Sequence, residues 1–261
     1  MLKFDQNINF LEPNGAMSTG FNDFDKYLEK INPKNCIITI GGRPSMGKTS
    51  FALSICNHLL KEKHRVMYVS LDYSKEEIEK RFIENKIKMR IEKKLTLLVN
   101  NAIDFYDKSG LSILAQTNLN IEKLEEVIKE NKPEFLFIDY VQLLKMPKAP
   151  NLTEATNLAI YEIKRIAREN NICVFLLSQL SRNPEYRTDK RPILSDLRNG
   201  SLLEEMSDVV VMIYRNGYYN MDNKNLAEEI IIRKNNSGLI GNFYLNFNNG
   251  FFENIDNLEN L

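Results

Sequence analysis

The stretch "GGRPSMGKTS" at residues 41–50 constrains this chain more than any other. It carries G-x-x-x-x-G-K-T from Gly42 to Thr49, directly after the apolar run "CIITI" (36–40) and at the start of a helical pattern over about 48–61. A loop that joins a buried strand to a helix in this way gathers backbone N–H groups and a helix N-terminus into a cradle for phosphates. Gly42, Arg43, Pro44, Ser45, Met46, Gly47, Lys48, Thr49 and Ser50 are the residues expected to line it around ATP. Lys48 is placed to reach the β- and γ-phosphates, and the Thr49 hydroxyl to ligate Mg²⁺.

The rest of the chain alternates strand and helix patterns around that loop. Strands are expected at 36–40, 65–71, 111–115, 134–139, 172–178 and 207–214, and helices at 22–32, 48–61, 93–107, 121–131 and 153–170. A further helix opens on a capping box, Ser74 to Glu77. Such alternation means βαβ crossovers and a mostly parallel sheet flanked by helices, an α/β fold. Near the C-terminus, "EEIIIRKNNSGLIGNFYLNF" (228–247) reads as an antiparallel β-hairpin turning on Lys234, Asn235, Asn236, Ser237 and Gly238. There are no internal repeats or linkers, so one domain is expected.

Bulk composition excludes little but is informative at two points. Lys plus Arg and Asp plus Glu stand at 35 each, so any nucleic-acid partner must be held by a local patch rather than by net charge. Cys36, Cys56 and Cys173 sit inside apolar runs, which fits reduced, buried thiols and a cytoplasmic location. No apolar run approaches the length of roughly 20 residues that spans a bilayer, and no signal-peptide pattern is visible.

A phosphate cradle needs a second acid to hold the metal, at the end of another buried strand. Asp139 in "EFLFIDY" has that setting and is the expected Mg²⁺ partner of Thr49. At the ends of two more strands, Gln179 could sense the γ-phosphate and Asp72 could orient the attacking water. Arg182, Arg187, Lys190, Arg191 and Arg198 concentrate positive charge between two strand ends.

Taken in order, "RPSMGKT", "FIDYVQLL", "LSQLSR", "DKRPILSDLR" and "SDVVVMIYR" resemble the successive motifs of the ATPase domain of DnaB-type replicative DNA helicases, and "STGFNDFD" (18–25) resembles its opening segment. The resemblance covers nearly the whole chain. It implies a RecA-like core that assembles as a ring, usually a hexamer, around single-stranded DNA, with ATP between neighbours and primase or a helicase loader as partners. On this basis Arg182, Arg198, Asn199, Gly200 and Ser201 are the expected DNA contacts, by side chain and backbone N–H. Lys48, Asp72 and Gln179 take the catalytic roles, Gln179 coupling the γ-phosphate to the DNA loops, and Lys234 joins them by acting in trans on a neighbour's γ-phosphate. The domain is expected over 18–261, and residues 1–17, too short for the family's N-terminal collar, are expected to pack on a neighbouring subunit.

Two departures from the family pattern bear on rate. Asp72 stands where the family has glutamate, pulling the carboxylate back by about one C–C bond, ~1.5 Å. Asn236 stands where the family has an arginine finger two positions after the lysine, and such fingers are worth roughly 10³–10⁵ in rate. The alternative reading is therefore a scaffold, loader or regulator that binds ATP and hydrolyses it weakly or not at all. Arg233 is the candidate substitute, but in a regular strand it would face away from Lys234.

Overall fold

Largely apolar runs, buried at every position, form the sheet's interior. The computed structural model describes residues 17–88, 97–198, 201–219, 227–236 and 238–255. Its parallel strands are β1 (Cys36–Gly42), β2 (Val66–Ser70), β3 (Leu111–Ala115), β4 (Phe135–Asp139), β5 (Cys173–Gln179) and β6 (Val209–Tyr214). Three antiparallel strands follow: β7 (Glu228–Asn235), β8 (Gly241–Asn248) and β9 (Phe251–Glu253). Among the described residues the sheet order is β3-β2-β4-β5-β1-β6-β7-β8-β9.

The helices are α1 (Asn22–Leu28), α2 (Lys48–Lys61), α3 (Lys75–Ile87), α4 (Leu97–Asp107), α5 (Ile121–Asn131), α6 (Leu152–Asn170) and the short α7 (Ser201–Met206) and α8 (Asn216–Tyr219). Side chains set their starts. Ser74 Oγ accepts from Glu77 N at 3.3 Å while the Glu77 carboxylate accepts from Ser74 N at 2.9 Å, the expected capping box. Asn120 and Asn151 cap α5 and α6 by accepting from Lys123 N and Glu154 N.

Alternate residues of each strand feed two cores, one per face of the sheet. Phe135, Phe137 and Phe175 face α2 and α3, with the rings of Phe137 and Phe175 stacked at 4.4 Å. Leu136, Ile138, Val174 and Leu176 face α5 and α6. All three cysteines are buried, and burial pushes the thiols of Cys56 and Cys173 well up. No helix among the described residues is long and apolar enough to cross a membrane.

Several boundaries differ from expectation. Helix α1 stops at Leu28, because Ile31 turns into the core and Asn32 precedes Pro33, which disfavours helical backbone before it. The start expected for the fourth helix, at 93, falls outside the described residues. Strand β7 continues through Asn235, so Lys234 and Asn235 belong to the strand and not to the turn. That strand is also irregular. Val211 pairs with Ile232 but Val210 with Lys234, leaving Arg233 as the extra residue of a β-bulge. Lys234 thereby shifts to the face of Val210, opposite to that of Ile232, and strand parity no longer separates it from Arg233.

Candidate active site

Strand register brings the expected catalytic positions to one edge. Gly42 pairs with Gln179 across β1 and β5, and Ser70 with Asp139 across β2 and β4. Because β2, β4, β5 and β1 are consecutive in the sheet, Asp139, Gln179 and the glycine-rich loop lie side by side, with Asp72 just beyond the end of β2. This is the carboxyl end of the parallel strands, where open α/β sheets bind their ligands.

The loop from Arg43 to Gly47 is shaped by positive φ angles of 63° at Ser45 and 91° at Gly47. A Cβ on Gly47 would lie 2.8 Å from the Phe252 ring, so both the angle and the packing require glycine there. Behind the loop, Lys48 Nζ donates to the carbonyls of Gly42 at 2.9 Å and Arg43 at 3.1 Å. Burial lowers this ammonium to about 8, with Asp139 pulling the other way. Thr49 Oγ1 donates to Asp139 Oδ2 at 2.7 Å, and Tyr68 OH to the same oxygen at 2.7 Å. Burial raises the Asp139 carboxyl against the opposing hydrogen bonds from Thr49 and Tyr68. A buried carboxylate next to a hydroxyl is an oxygen-only donor pair, which suits a hard cation such as Mg²⁺.

Asp72 is exposed at the mouth of this edge. Its charge reaches the half-buried Tyr140, whose phenol is held above its ordinary range by burial and then by the carboxylates of Asp72 and Asp139. Arg81 on α3 also acts on Asp139, and stacks over the Tyr73 ring at 3.9 Å.

The basic stretch after β5 divides into paired and unpaired residues. Arg187 grips the fully buried Asp196 through two bonds of 2.9 and 2.6 Å, and Arg191 Nε donates to Glu229 at 2.6 Å. Lys190 Nζ donates to the Glu185 carbonyl at 3.0 Å. The side chains of Arg182 and Arg198 have no hydrogen-bond or ion-pair partner among the described residues. Three of the five cations thus hold the stretch together by their own contacts. Asn199 and Gly200 lie outside the described residues, and Ser201 opens α7.

Lys234 is not brought to this edge. Its end of β7 lies beside the start of β6, and Asp208 N in turn donates to Ile37 O at the start of β1. That is the opposite end of the strand that leads into the phosphate loop. Lys234 Nζ caps α7 instead, donating to the carbonyls of Glu204 and Glu205 at 2.9 Å each. Arg233 Nε donates to Pro192 O at 2.7 Å, and Asn236 N to Asp208 O at 2.9 Å.

Sequence reasoning missed Arg215 and Gln142, which help hold the site together, and it expected Arg43 only as a lining residue, not as a fastener. Arg43 Nη1 donates to Leu180 O and its Nε to Glu185, both at 2.9 Å, fastening the phosphate loop to the basic stretch. Arg215 Nη1 donates to Ser45 O at 3.1 Å, pairs with Glu228 at 3.0 Å and lies 3.8 Å over the Phe247 ring. Gln142 contacts the end of β5. Only its position three residues after Asp139 in "DYVQLL" could have flagged it.

A family model described as the DnaB-like helicase C terminal domain matches residues 16–255. The chain is 36% identical over 266 residues to the "Replicative DNA helicase DnaB" of Haemophilus influenzae, covering 93% of this chain and 55% of that protein. It spans about half the length of the curated relatives it matches. Among solved structures, one of an isolated ATPase domain superposes with a TM-score of 0.82 at 31% identity, covering 92% of this chain and 91% of that one. A second, "The Structure Of A DnaB-Like Replicative Helicase And Its Interactions With Primase", superposes equally well at 0.82 and 31%, over 92% of this chain and 62% of that one. With a family match that runs from 16 to 255, this RecA-like chain belongs to the DnaB-like helicase C-terminal domain family.

Proposed function

We propose that the chain is an ATP-driven DNA motor that assembles as a ring, as a hexamer, translocates on single-stranded DNA and unwinds duplex during replication. One observation carries this reading: Lys48, Thr49, Asp139, Asp72 and Gln179 meet on adjacent strand ends, beside a loop that leaves Arg182 and Arg198 unpaired. Lys48 and the loop N–H groups bind the ATP phosphates, Thr49 and Asp139 hold hydrated Mg²⁺, Asp72 orients water, and Gln179 reads the γ-phosphate. Bound Mg²⁺ supplies charge to offset that developing on the transferred phosphoryl group. Lys234 serves a neighbour's site, because it stands at the wrong end of the sheet to serve its own. A primase is the favoured partner, on the likeness to a helicase whose structure was described with primase interactions.

The test is ATP turnover with and without oligo(dT), together with unwinding of a forked duplex. Stimulated turnover with strand separation is expected. Nucleotide binding without turnover on any single strand would instead establish the scaffold reading, for which Asp72 and Asn236 speak. Asp72→Glu is expected to raise kcat, since ~1 Å of misplacement costs on the order of a hundredfold. For the DNA loop, Arg198→Ala should weaken oligo(dT) binding and lower the slope of log K against log salt by about one phosphate contact. An unchanged salt slope, read by titration at several salt concentrations, removes Arg198 from the interface.

A further inference from the structure

Gln142 has no part in the chemistry just assigned, yet it touches both regions that the chemistry must connect. Residues Val141–Leu143 form a single 3-10 turn directly after β4, closed by Leu143 N donating to Tyr140 O at 3.0 Å. The turn brings Gln142 back over the end of β5. Its Oε1 accepts the backbone N–H of Gln179 at 3.3 Å. Its Nε2 donates to the buried Ser178 Oγ at 2.8 Å and lies 3.5 Å from the carbonyl oxygen of Arg198, at the outer limit of a hydrogen bond. A primary amide offers an acceptor oxygen and two N–H donors, so one side chain serves all three partners.

Backbone pairing closes the same circuit on its other side. Leu180 and Leu197 form an isolated antiparallel bridge, and Ser181 N donates to Asp196 O at 2.8 Å. The segments leaving Gln179 and arriving at Arg198 are therefore the two arms of one small antiparallel pair. Gln142 bolts those arms to the end of the strand that carries Asp139. The acceptor side of the amide thus meets Gln179, and its donor side faces the Arg198 carbonyl.

We propose that Gln142 is the positioning residue that couples the nucleotide site to the nucleic-acid loop. This rests on the function proposed above, with Gln179 reading the γ-phosphate and Arg198 contacting single-stranded DNA. Coupling between two sites is a reciprocal free energy, so it is measured as a ratio of affinities. The experiment is fluorescence anisotropy of labelled oligo(dT) binding to the whole chain, in Mg²⁺ with a non-hydrolysable ATP analogue and, separately, with ADP. The wild-type affinities are expected to differ by roughly 5- to 150-fold between the two nucleotides, and those of Gln142→Leu by about twofold or less. A residue that merely supported the loop would weaken binding equally with both nucleotides and leave the ratio intact.

Gln142→Glu gives a second reading should the leucine variant fail to fold by circular dichroism. It keeps the acceptor for Gln179 N–H, loses both donors, and sets a carboxylate against the Arg198 carbonyl, so its ratio should also collapse. A wild-type ratio near one overturns the parent reading and this proposal with it. A wild-type ratio above about fivefold that survives in the folded Gln142 variants overturns the role of Gln142 alone.

Discussion

Lys48→Ala is expected to lower single-strand-stimulated ATP turnover by at least a hundredfold to about a thousandfold, the scale of removing one preorganised group from developing charge. The lysine is held in readiness by the carbonyls of Gly42 and Arg43, and its burial means that water substitutes poorly for the lost ammonium. No other cation among the described residues stands in its place, since Arg43 is committed to Leu180 and Glu185. A mixing experiment extends the prediction to the ring. Lys48→Ala retains an intact hairpin, and Lys234→Ala retains an intact phosphate loop. Each alone should be nearly inactive, while an equimolar mixture should recover activity at on the order of a quarter of its interfaces, from random pairing in a ring. Phosphate release at saturating oligo(dT) is the readout. No recovery in a mixture shown to co-assemble would place Lys234 outside the neighbour's site.

The second large effect is a gain. Asn236→Arg should raise kcat by up to about 10³, the lower end of what an arginine supplied in trans contributes to phosphoryl transfer. The turn should tolerate the change. Asn236 is anchored chiefly through its backbone N–H to Asp208 O at 2.9 Å, whereas its side-chain contact to Asp208 is a long 3.4 Å. Arg233 is turned to this chain instead, its Nε donating to the Pro192 carbonyl. Combined with Asp72→Glu the gain should be larger still, and dilution below the assembly concentration should abolish it. A change confined to KM would mean that the new arginine binds substrate without reaching the transition state.

Legibility from sequence followed the range of the interactions. The phosphate loop was readable because strand, turn and helix are contiguous, and because Gly47 meets a demand that only glycine satisfies. Asp139 and Gln179 were readable as residues ending apolar strands, and register then made them neighbours. The capping box at Ser74 is equally local. What stayed hidden depends on partners far along the chain. The bulge at Arg233 exists only relative to β6, with no glycine or proline to mark it. Arg187 and Arg191 look like free cations in the sequence, and only the fold shows Asp196 and Glu229 waiting for them. Gln142 bridges segments 36 and 56 residues away, beyond any motif window.

The sheet order has a consequence for how this chain folds. Strand β1 leads into the phosphate loop, yet its partner β5 arrives more than a hundred residues later, pairing Cys36 with Cys173. Closing so long a loop is slow, and the pairing cannot form piecemeal. The loop has neither Gln179 nor Asp139 beside it until the centre of the sheet is complete. Nucleotide binding would therefore report completion of the sheet's centre rather than of a local segment. A nucleotide at a hundred times its dissociation constant would stabilise the native chain by about 2.7 kcal/mol. A bound nucleotide would thus act as a late thermodynamic latch on the centre of the sheet.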